Sequence, residues 1–287
     1  MHLRHILAAT DESDAGRQAV RAALELASRS DARVTVVRVE SAAVAPQPVG
    51  ALQACEAPGG GVDDAAVEHL RRWLDADVLH GNEAGTVQLS VNFGIPGIEI
   101  CRAAERLGAD LLVLGRKRHS QRARLLLGDT ADAVARRSRF PCLFVPPRPV
   151  ELRNLLVALD GSDRGMTVLH AACGFARDIG AGLQVVTVER GAANEPWHLA
   201  AALPVARSSA LQARVLAVAQ RERIPGLAVS IQRGDITEAV LAQVRETGAD
   251  GLAIGYHRGG PPGVIEAGST ARRLAHEAPC AVLTIPL

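Results

Sequence analysis

Residues 3–14 read LRHILAATDESD, and residues 152–163 read LRNLLVALDGSD. These two stretches lie 149 positions apart, and the motif Gly108-Ala109-Asp110 returns as Gly248-Ala249-Asp250 at an offset of 140. A repeat of this length is a whole duplicated domain, because solenoid repeats have periods of about 20–50 residues. The sequence therefore predicts two copies of one fold in a single chain.

The repeat divides the 287 residues into two parts of ordinary domain size. We expect a first domain over residues 1–147 and a second over residues 148–287, called the first half and the second half below. Between the two parts, residues 146–149 read PPRP and predict a short, stiff linker. The Pro- and Gly-rich residues 44–61 are interpreted as a surface excursion.

Composition narrows the classes of partner. Aromatic residues make up only 2% of the chain, so stacking platforms for single-stranded nucleic acid are nearly absent. The formal net charge of +1 gives no reason to expect a polyanionic partner. The sequence shows neither a signal region nor an apolar run of membrane-spanning length, so we expect a cytoplasmic protein without a membrane partner. The five cysteines form no C-x-x-C pair, which argues against a disulfide framework or a zinc site.

Short apolar runs alternate with longer amphipathic stretches, a pattern typical of a parallel sheet covered by helices. The predicted strands are residues 5–9, 34–39, 110–114 and 142–145, then 154–159, 183–188, 228–232, 251–255 and 281–285. The predicted helices are residues 14–28, 95–107 and 130–137, then 164–179, 207–223, 237–246 and 270–277. We therefore predict two tandem, doubly wound, flavodoxin-like α/β domains, each with a five-stranded parallel sheet and about four helices.

An acidic residue follows the first strand of each half, at the edge of the sheet where doubly wound folds bind ligands. The carboxylate of Asp11 or Asp160 could accept hydrogen bonds from a ligand amine or hydroxyl. Equally, an Asp at a strand-to-helix turn often only stabilises the turn, and both interpretations stay open here. Ser13 or Asp14 in the first half, and Asp163 in the second, are the predicted caps of the helices that follow.

Each half has a pair of glycines thirteen positions apart, the first after the fourth strand and the second before the next helix. These are Gly115 and Gly128 in the first half, and Gly255 and Gly268 in the second. Glycine lets the backbone approach a phosphate closely, and a helix N-terminus presents free N–H groups to an anion. Asp129 follows Gly128 directly in the first half, and its carboxylate would repel a phosphate at close range.

The basic residues that follow the first glycine differ between the halves. The first half has Arg116, Lys117, Arg118, His119, Arg122 and Arg124, whereas the second has His257 and Arg258. Such a cluster either attracts phosphates or belongs to a solvated loop, and both interpretations remain open.

Together these motifs resemble the universal stress protein family. The first copy shows ILAATD at residues 6–11, GADLLVLG at 108–115, RLLLG at 124–128 and PC at 141–142. The second copy shows VALDGS at 157–162, GAD at 248–250, then Gly255 and Gly268-Ser269. The resemblance covers essentially the whole chain. Its ATP-binding branch has G-x-x-G, nine residues and G-[ST]; here Arg118 and Arg258 replace the middle glycine.

The resemblance implies a site for ATP, with Mg²⁺, or for a related adenine nucleotide. In the second half its residues are Asp160, Val188, Gly255, Arg258, Gly268, Ser269 and Thr270, and in the first half Asp11, Val39, Gly115, Gly128 and Thr130. By resemblance, the Asp and the Val backbone lie near the adenine, and the second-half glycines, Ser269 and Thr270 hold the phosphates. Arg258 either blocks the loop or pairs with a phosphate. We expect a degenerate site in the first half and a better-kept site in the second.

The resemblance also implies how the halves meet and what the protein does. We expect the strands at 142–145 and 281–285 to pair within the chain, as an intramolecular pseudo-dimer that protects both edges. A further homodimer and the protein partner are left open. The leading hypothesis is a non-enzymatic regulatory protein of the stress response that binds an adenine nucleotide, and its rival is a nucleotide-independent scaffold. No enzyme is expected beyond slow ATP hydrolysis, because the phosphate motifs of related nucleotidyl transferases are missing.

Overall fold

The computed structural model describes residues 2–40, 64–79, 87–118, 125–189, 202–224, 226–257 and 269–287, so the interpreted excursion at 44–61 lies outside the described residues. The first half contains β1 (His5–Thr10), α1 (Asp14–Ser30), β2 (Arg33–Glu40), α2 (Asp64–Asp77), β3 (Val87–Phe93), α3 (Pro96–Leu107), β4 (Leu111–Gly115), β5 (Lys117–Arg118), β6 (Leu125–Leu126), α4 (Asp129–Arg137) and β7 (Cys142–Val145). The second half contains β8 (Asn154–Leu159), α5 (Asp163–Asp178), β9 (Gly182–Glu189), α6 (Ala202–Glu222), β10 (Ala228–Arg233), α7 (Ile236–Thr247), β11 (Gly251–Tyr256), α8 (Ser269–Glu277) and β12 (Ala281–Pro286).

Ten of these strands form one continuous sheet, in the order β10-β9-β8-β11-β12-β7-β4-β1-β2-β3. Neighbouring strands within each half are parallel, and the order in each half is 3-2-1-4-5. The predicted doubly wound α/β fold with a five-stranded parallel sheet in each half is confirmed. The last strands of the two halves, β7 and β12, pair antiparallel with Leu143 opposite Leu283, so the expected pairing within one chain is present.

Two apolar cores cover the two faces of this sheet, and each runs through both halves. Every residue of β1 is buried, and its side chains alternate between the cores, with Ile6 in one and Leu7 in the other. One face is covered by α1, α2, α5 and α6, and the other by α3, α4, α7 and α8. Because both faces of the central strands are buried, their sequences are continuous apolar runs.

The caps of α1 and α5 are equivalent serines. The Ser13 hydroxyl accepts a hydrogen bond from the Gly16 N–H, and the Ser162 hydroxyl accepts one from the Gly165 N–H at 3.0 Å. The prediction of Asp163 as the second cap was wrong, because Asp163 is already the first helical residue and Ser162 has the extended backbone that a cap requires. Among the described helices, none is long and apolar enough to cross a lipid bilayer.

Candidate functional site

Each half has a cavity at the carboxyl ends of its parallel strands. The first cavity has a volume of about 670 Å³ and lies between the ends of β1, β2 and β4 and the starts of α1, α3 and α4. The second has a volume of about 540 Å³ and lies between the equivalent elements, β8, β9, β11, α5, α7 and α8. Both lie where the strand order reverses, which is the usual ligand position in doubly wound folds.

Most of the predicted site residues line these cavities. Asp11, Val39, Gly115, Gly128 and Thr130 line the first cavity. Asp160, Val188, Gly255 and Thr270 line the second. The backbone of Ser269 begins α8, but its side chain lies outside the described residues, as do Arg258 and Gly268 entirely.

The strand-end carboxylates stabilise the turn into the next helix in both halves. Asp160 Oδ1 accepts hydrogen bonds from Ser162 N at 3.0 Å and Ser162 Oγ at 2.7 Å. Asp11 Oδ1 accepts the equivalent bonds from the backbone N–H and the hydroxyl of Ser13. Both carboxylates therefore stabilise their turns through Oδ1, as one of the two interpretations expected. The second oxygen of each carboxylate remains for other contacts.

The second carboxylate oxygen distinguishes the two cavities. In the first, Asp11 Oδ2 lies 3.0 Å from Nζ of Lys117, the single lysine of the chain. Burial alone would raise the pKa of the Asp11 carboxyl, but hydrogen bonds from Ser13 and Lys117 and the lysine charge outweigh it, so the net pKa is lowered. In the second cavity, no described residue pairs with Asp160 Oδ2, and His257 lies in the lining at the position equivalent to Lys117.

The two strand-end glycines are held to different degrees by their surroundings: Gly115 is required by the packing of β4 against α1, and Gly255 is closely surrounded by side chains. A Cβ on Gly115 would overlap the backbone carbonyl of Ala15 in α1, whereas a Cβ on Gly255 would meet the side-chain ends of Val168 and Leu287 at 2.9 and 2.7 Å. At Gly128 the nearest atom would be Lys117 Cδ at 3.8 Å, so this position has room for a side chain. Close approach at Gly115 is therefore explained within the protein, without a phosphate.

The helix N-termini that line the two cavities differ in charge. The first turn of α4 contains Asp129 and Asp132, and its N-cap, Gly128, makes no side-chain cap hydrogen bond. The first turn of α8 contains no acidic residue. Since the N-terminus of a helix attracts anions and a carboxylate there opposes them, the second cavity is the better place for a phosphate.

Arg116 has a role that both interpretations of the basic cluster missed. Its side chain is fully buried, and its guanidinium donates hydrogen bonds to the carbonyls of His276, Ala278 and Cys280 at 2.9, 3.0 and 2.9 Å. These carbonyls lie at and just after the C-terminus of α8, which therefore receives a cationic cap from the other half of the chain. Burial lowers the pKa of this guanidinium to about 10, so it remains charged at neutral pH.

The remaining basic residues of that cluster fall largely outside the described residues. This applies to the side chain of Arg118 and to His119, Arg122 and Arg124.

Glu12 is a second feature that sequence reasoning missed. It has a left-handed backbone with φ of 60°, while its equivalent, Gly161, has φ of 77°. Its carboxylate is paired with Arg38 in β2 and lies 3.1 Å from His69 Nε2 in α2. The signal was present in the repeat, because a glycine in one copy marks a position where the backbone favours glycine.

The sequence model of the universal stress protein family matches residues 2–146 and again residues 151–286. The chain belongs to the universal stress protein family. Members of this family are stress-response proteins, and the two matches agree with the tandem repeat read from the sequence. Among the curated proteins, none matches this chain.

Solved structures with the same fold include other chains of similar length. A universal stress protein from Archaeoglobus fulgidus is 19% identical, with 98% of each chain covered and a TM-score of 0.65. A functionally unknown protein from Pseudomonas aeruginosa is 14% identical, with 99% of this chain and 92% of that chain covered and a TM-score of 0.61. A universal stress protein in complex with cAMP is 20% identical over 46% of this chain and 95% of that one, with a TM-score of 0.36. At these identities the first two likenesses show the fold alone.

Proposed function

We propose that this chain is a non-enzymatic regulatory protein of the stress response that binds ATP or a related adenine nucleotide, mainly in its second half. The observation that carries this proposal is the make-up of the second cavity. It is lined both by a strand-end carboxylate, Asp160, and by the first turn of α8, which has no acidic residue. A nucleotide needs this combination, because its base and ribose donate hydrogen bonds while its phosphates need an anion site.

Each part of the nucleotide has a suitable partner in the second cavity. The free oxygen of Asp160 can accept a hydrogen bond from the adenine amine or a ribose hydroxyl, beside the backbone of Val188. The Thr270 hydroxyl and the first N–H groups of α8 can donate to the phosphates. Mg²⁺ would be held chiefly by the phosphates, because the described residues include no group of three acidic, His or Cys side chains that could hold a metal.

Binding would favour one arrangement of the segments around the second cavity, which a protein partner could recognise. The rival hypothesis, a scaffold that needs no nucleotide, is supported by the continuous sheet through both halves, because a rigid double domain can present a surface without a ligand.

Isothermal titration of the whole chain with ATP tests the proposal. We expect one ATP per chain, with affinity at least tenfold weaker in Asp160→Asn, which keeps an Oδ1 acceptor for the turn but replaces the free carboxylate oxygen with an amide. Asp11→Asn in the first half is the matched control and should leave the ATP affinity unchanged. Absence of saturable binding at millimolar ATP would reject the nucleotide proposal and favour the scaffold. Binding that Asp160→Asn does not weaken would place the site elsewhere.

A further inference from the structure

The two cavities also differ in charge at the first residue of the helix that follows the second glycine of each half, α4 in the first half and α8 in the second. Asp129 begins α4 and lines the first cavity, and Ser269 begins α8 at the equivalent position. The Asp129 carboxylate is exposed and makes no hydrogen bond or ion pair with any described residue. It is therefore available to a ligand in the first cavity.

The apolar walls on the β2 and α3 side of the first cavity correspond to those on the β9 and α7 side of the second. Val37, Val39 and Ile100 in the first cavity correspond to Val186, Val188 and Val240 in the second. Both cavities thus offer aliphatic walls beside the strand-end carboxylate. A flat, apolar base that fits one of them should fit the other.

Asp129 determines which part of a ligand can lie beside it once the base is bound, a phosphate or a ribose hydroxyl. A phosphate about 5 Å from this carboxylate would be disfavoured on the order of a hundredfold at an effective dielectric of about 20. Lys117 compensates little, because its ammonium is already 3.0 Å from Asp11 Oδ2. A ribose hydroxyl, in contrast, is a good donor to a carboxylate, as in dinucleotide sites where an acidic side chain binds the ribose.

We propose that the first cavity binds an adenine nucleoside without phosphate, whose ribose hydroxyls donate to Asp129, while the second cavity binds the nucleotide. The choice of adenine rests on the proposed function of the second cavity, because it is taken from the matched walls. The residue at position 129 or 269 then sets whether phosphate is accepted. One chain would thereby respond to nucleoside and nucleotide at separate sites.

Sequential titration of the whole chain tests this selectivity, with ATP and adenosine as the probes. After saturation with ATP, we expect adenosine to fill one further site per chain. In Asp129→Ser, ATP should fill two sites and leave no residual adenosine site. In Ser269→Asp, the ratio of adenosine to ATP affinity at the second cavity should rise about a hundredfold. Asp75→Ser, which removes an exposed carboxylate from α2 away from both cavities, controls for the change in net charge.

The alternative results separate this inference from the proposed function. Two ATP sites in the unaltered chain, or no adenosine site after ATP saturation, would overturn the inference while leaving nucleotide binding in place. An adenosine site that survives when ATP does not bind at all would reject the nucleotide proposal alone. If neither ligand binds, both fail.

Discussion

The two halves of the molecule share a backbone plan but differ in how the strand next to the cavity is anchored. In the first half, the residue after the strand-end glycine is Arg116, which reaches across and caps α8 of the second half. The equivalent residue of the second half, Tyr256, belongs to an apolar core. A dimer of identical subunits would make each such contact twice. In this chain the Arg116 contact is made once, so the two sides of the interface between the halves, called the junction below, differ.

Charged side chains at the junction show the same asymmetry. Asp132 in α4 and Arg272 in α8 occupy equivalent positions of the repeat and form an ion pair, with 3.6 Å between Asp132 Oδ1 and Arg272 Nε. In a symmetric homodimer these positions would carry the same charge. Leu127, just before Gly128, donates its N–H to His276 Nδ1 at 3.3 Å. Residues near both glycines of the first cavity, Arg116 and Leu127, thus bond to the C-terminal turn of α8, whose N-terminus lines the second cavity.

The largest loss of stability is expected when the hydrogen bonds of Arg116 across the junction are removed. Arg116→Ala would leave two buried carbonyls and one partly buried carbonyl without their donor and a space in the junction, so we expect a loss of about 3–5 kcal/mol in the free energy of unfolding. Arg102→Ala is the matched control, since the Arg102 side chain is 68% exposed and, among the described residues, pairs with Glu99 alone; its cost should stay within about 0.5 kcal/mol. Urea unfolding of both variants measures the difference. Equal midpoints for the two variants would mean that the junction does not depend on Arg116.

The sequence was sufficient for the parts of the fold that a local pattern determines. The buried strands, such as β1 and β8, were predicted because their apolar runs are continuous and repeated. The two edge strands gave a weaker signal, because most residues of β3 and β10 are half-buried or exposed; of these two, β10 was predicted and β3 was missed. The role of Arg116 was missed because its partners are carbonyls 160–164 residues away, and no local pattern marks such a burial.

The candidate site likewise has parts that the sequence predicts and a part that it does not. The strand-end carboxylates and glycines could be placed from the order of strands and helices, and they do line the two cavities. The pairing of Lys117 with Asp11 could not be predicted, because it depends on the path of the chain after Gly115.

A second, smaller difference in stability is expected between alanine substitutions at the two strand-end glycines, Gly115 and Gly255. Gly115→Ala would force its Cβ against the backbone of Ala15, which cannot move without shifting α1, so we expect a destabilisation of about 3 kcal/mol. Gly255→Ala would meet side chains instead of backbone. Leu287 can turn aside, whereas the buried, β-branched Val168 can shift only slightly, so we expect a cost of about 1–2 kcal/mol. Thermal unfolding of both variants compares them directly. A larger loss for Gly255→Ala would show that α5 and Leu287 are packed more rigidly than α1.

The smallest effect concerns the turn after the first strand, where Glu12 and Gly161 have the same left-handed backbone. Glu12→Gly would relieve about 1 kcal/mol of backbone strain but lose the contacts with Arg38 and His69, so stability should change by less than about 1 kcal/mol. The reverse change, Gly161→Glu, adds the strain, and Thr187 stands where the first half has Arg38. The nearby Arg214 already donates to the Gly161 carbonyl and to Asp163, so we expect a net cost of about 1–2 kcal/mol. Denaturant unfolding should therefore find the two exchanges unequal. Equal and opposite changes would mean that backbone conformation alone decides this position and that the Arg38 and His69 contacts contribute nothing.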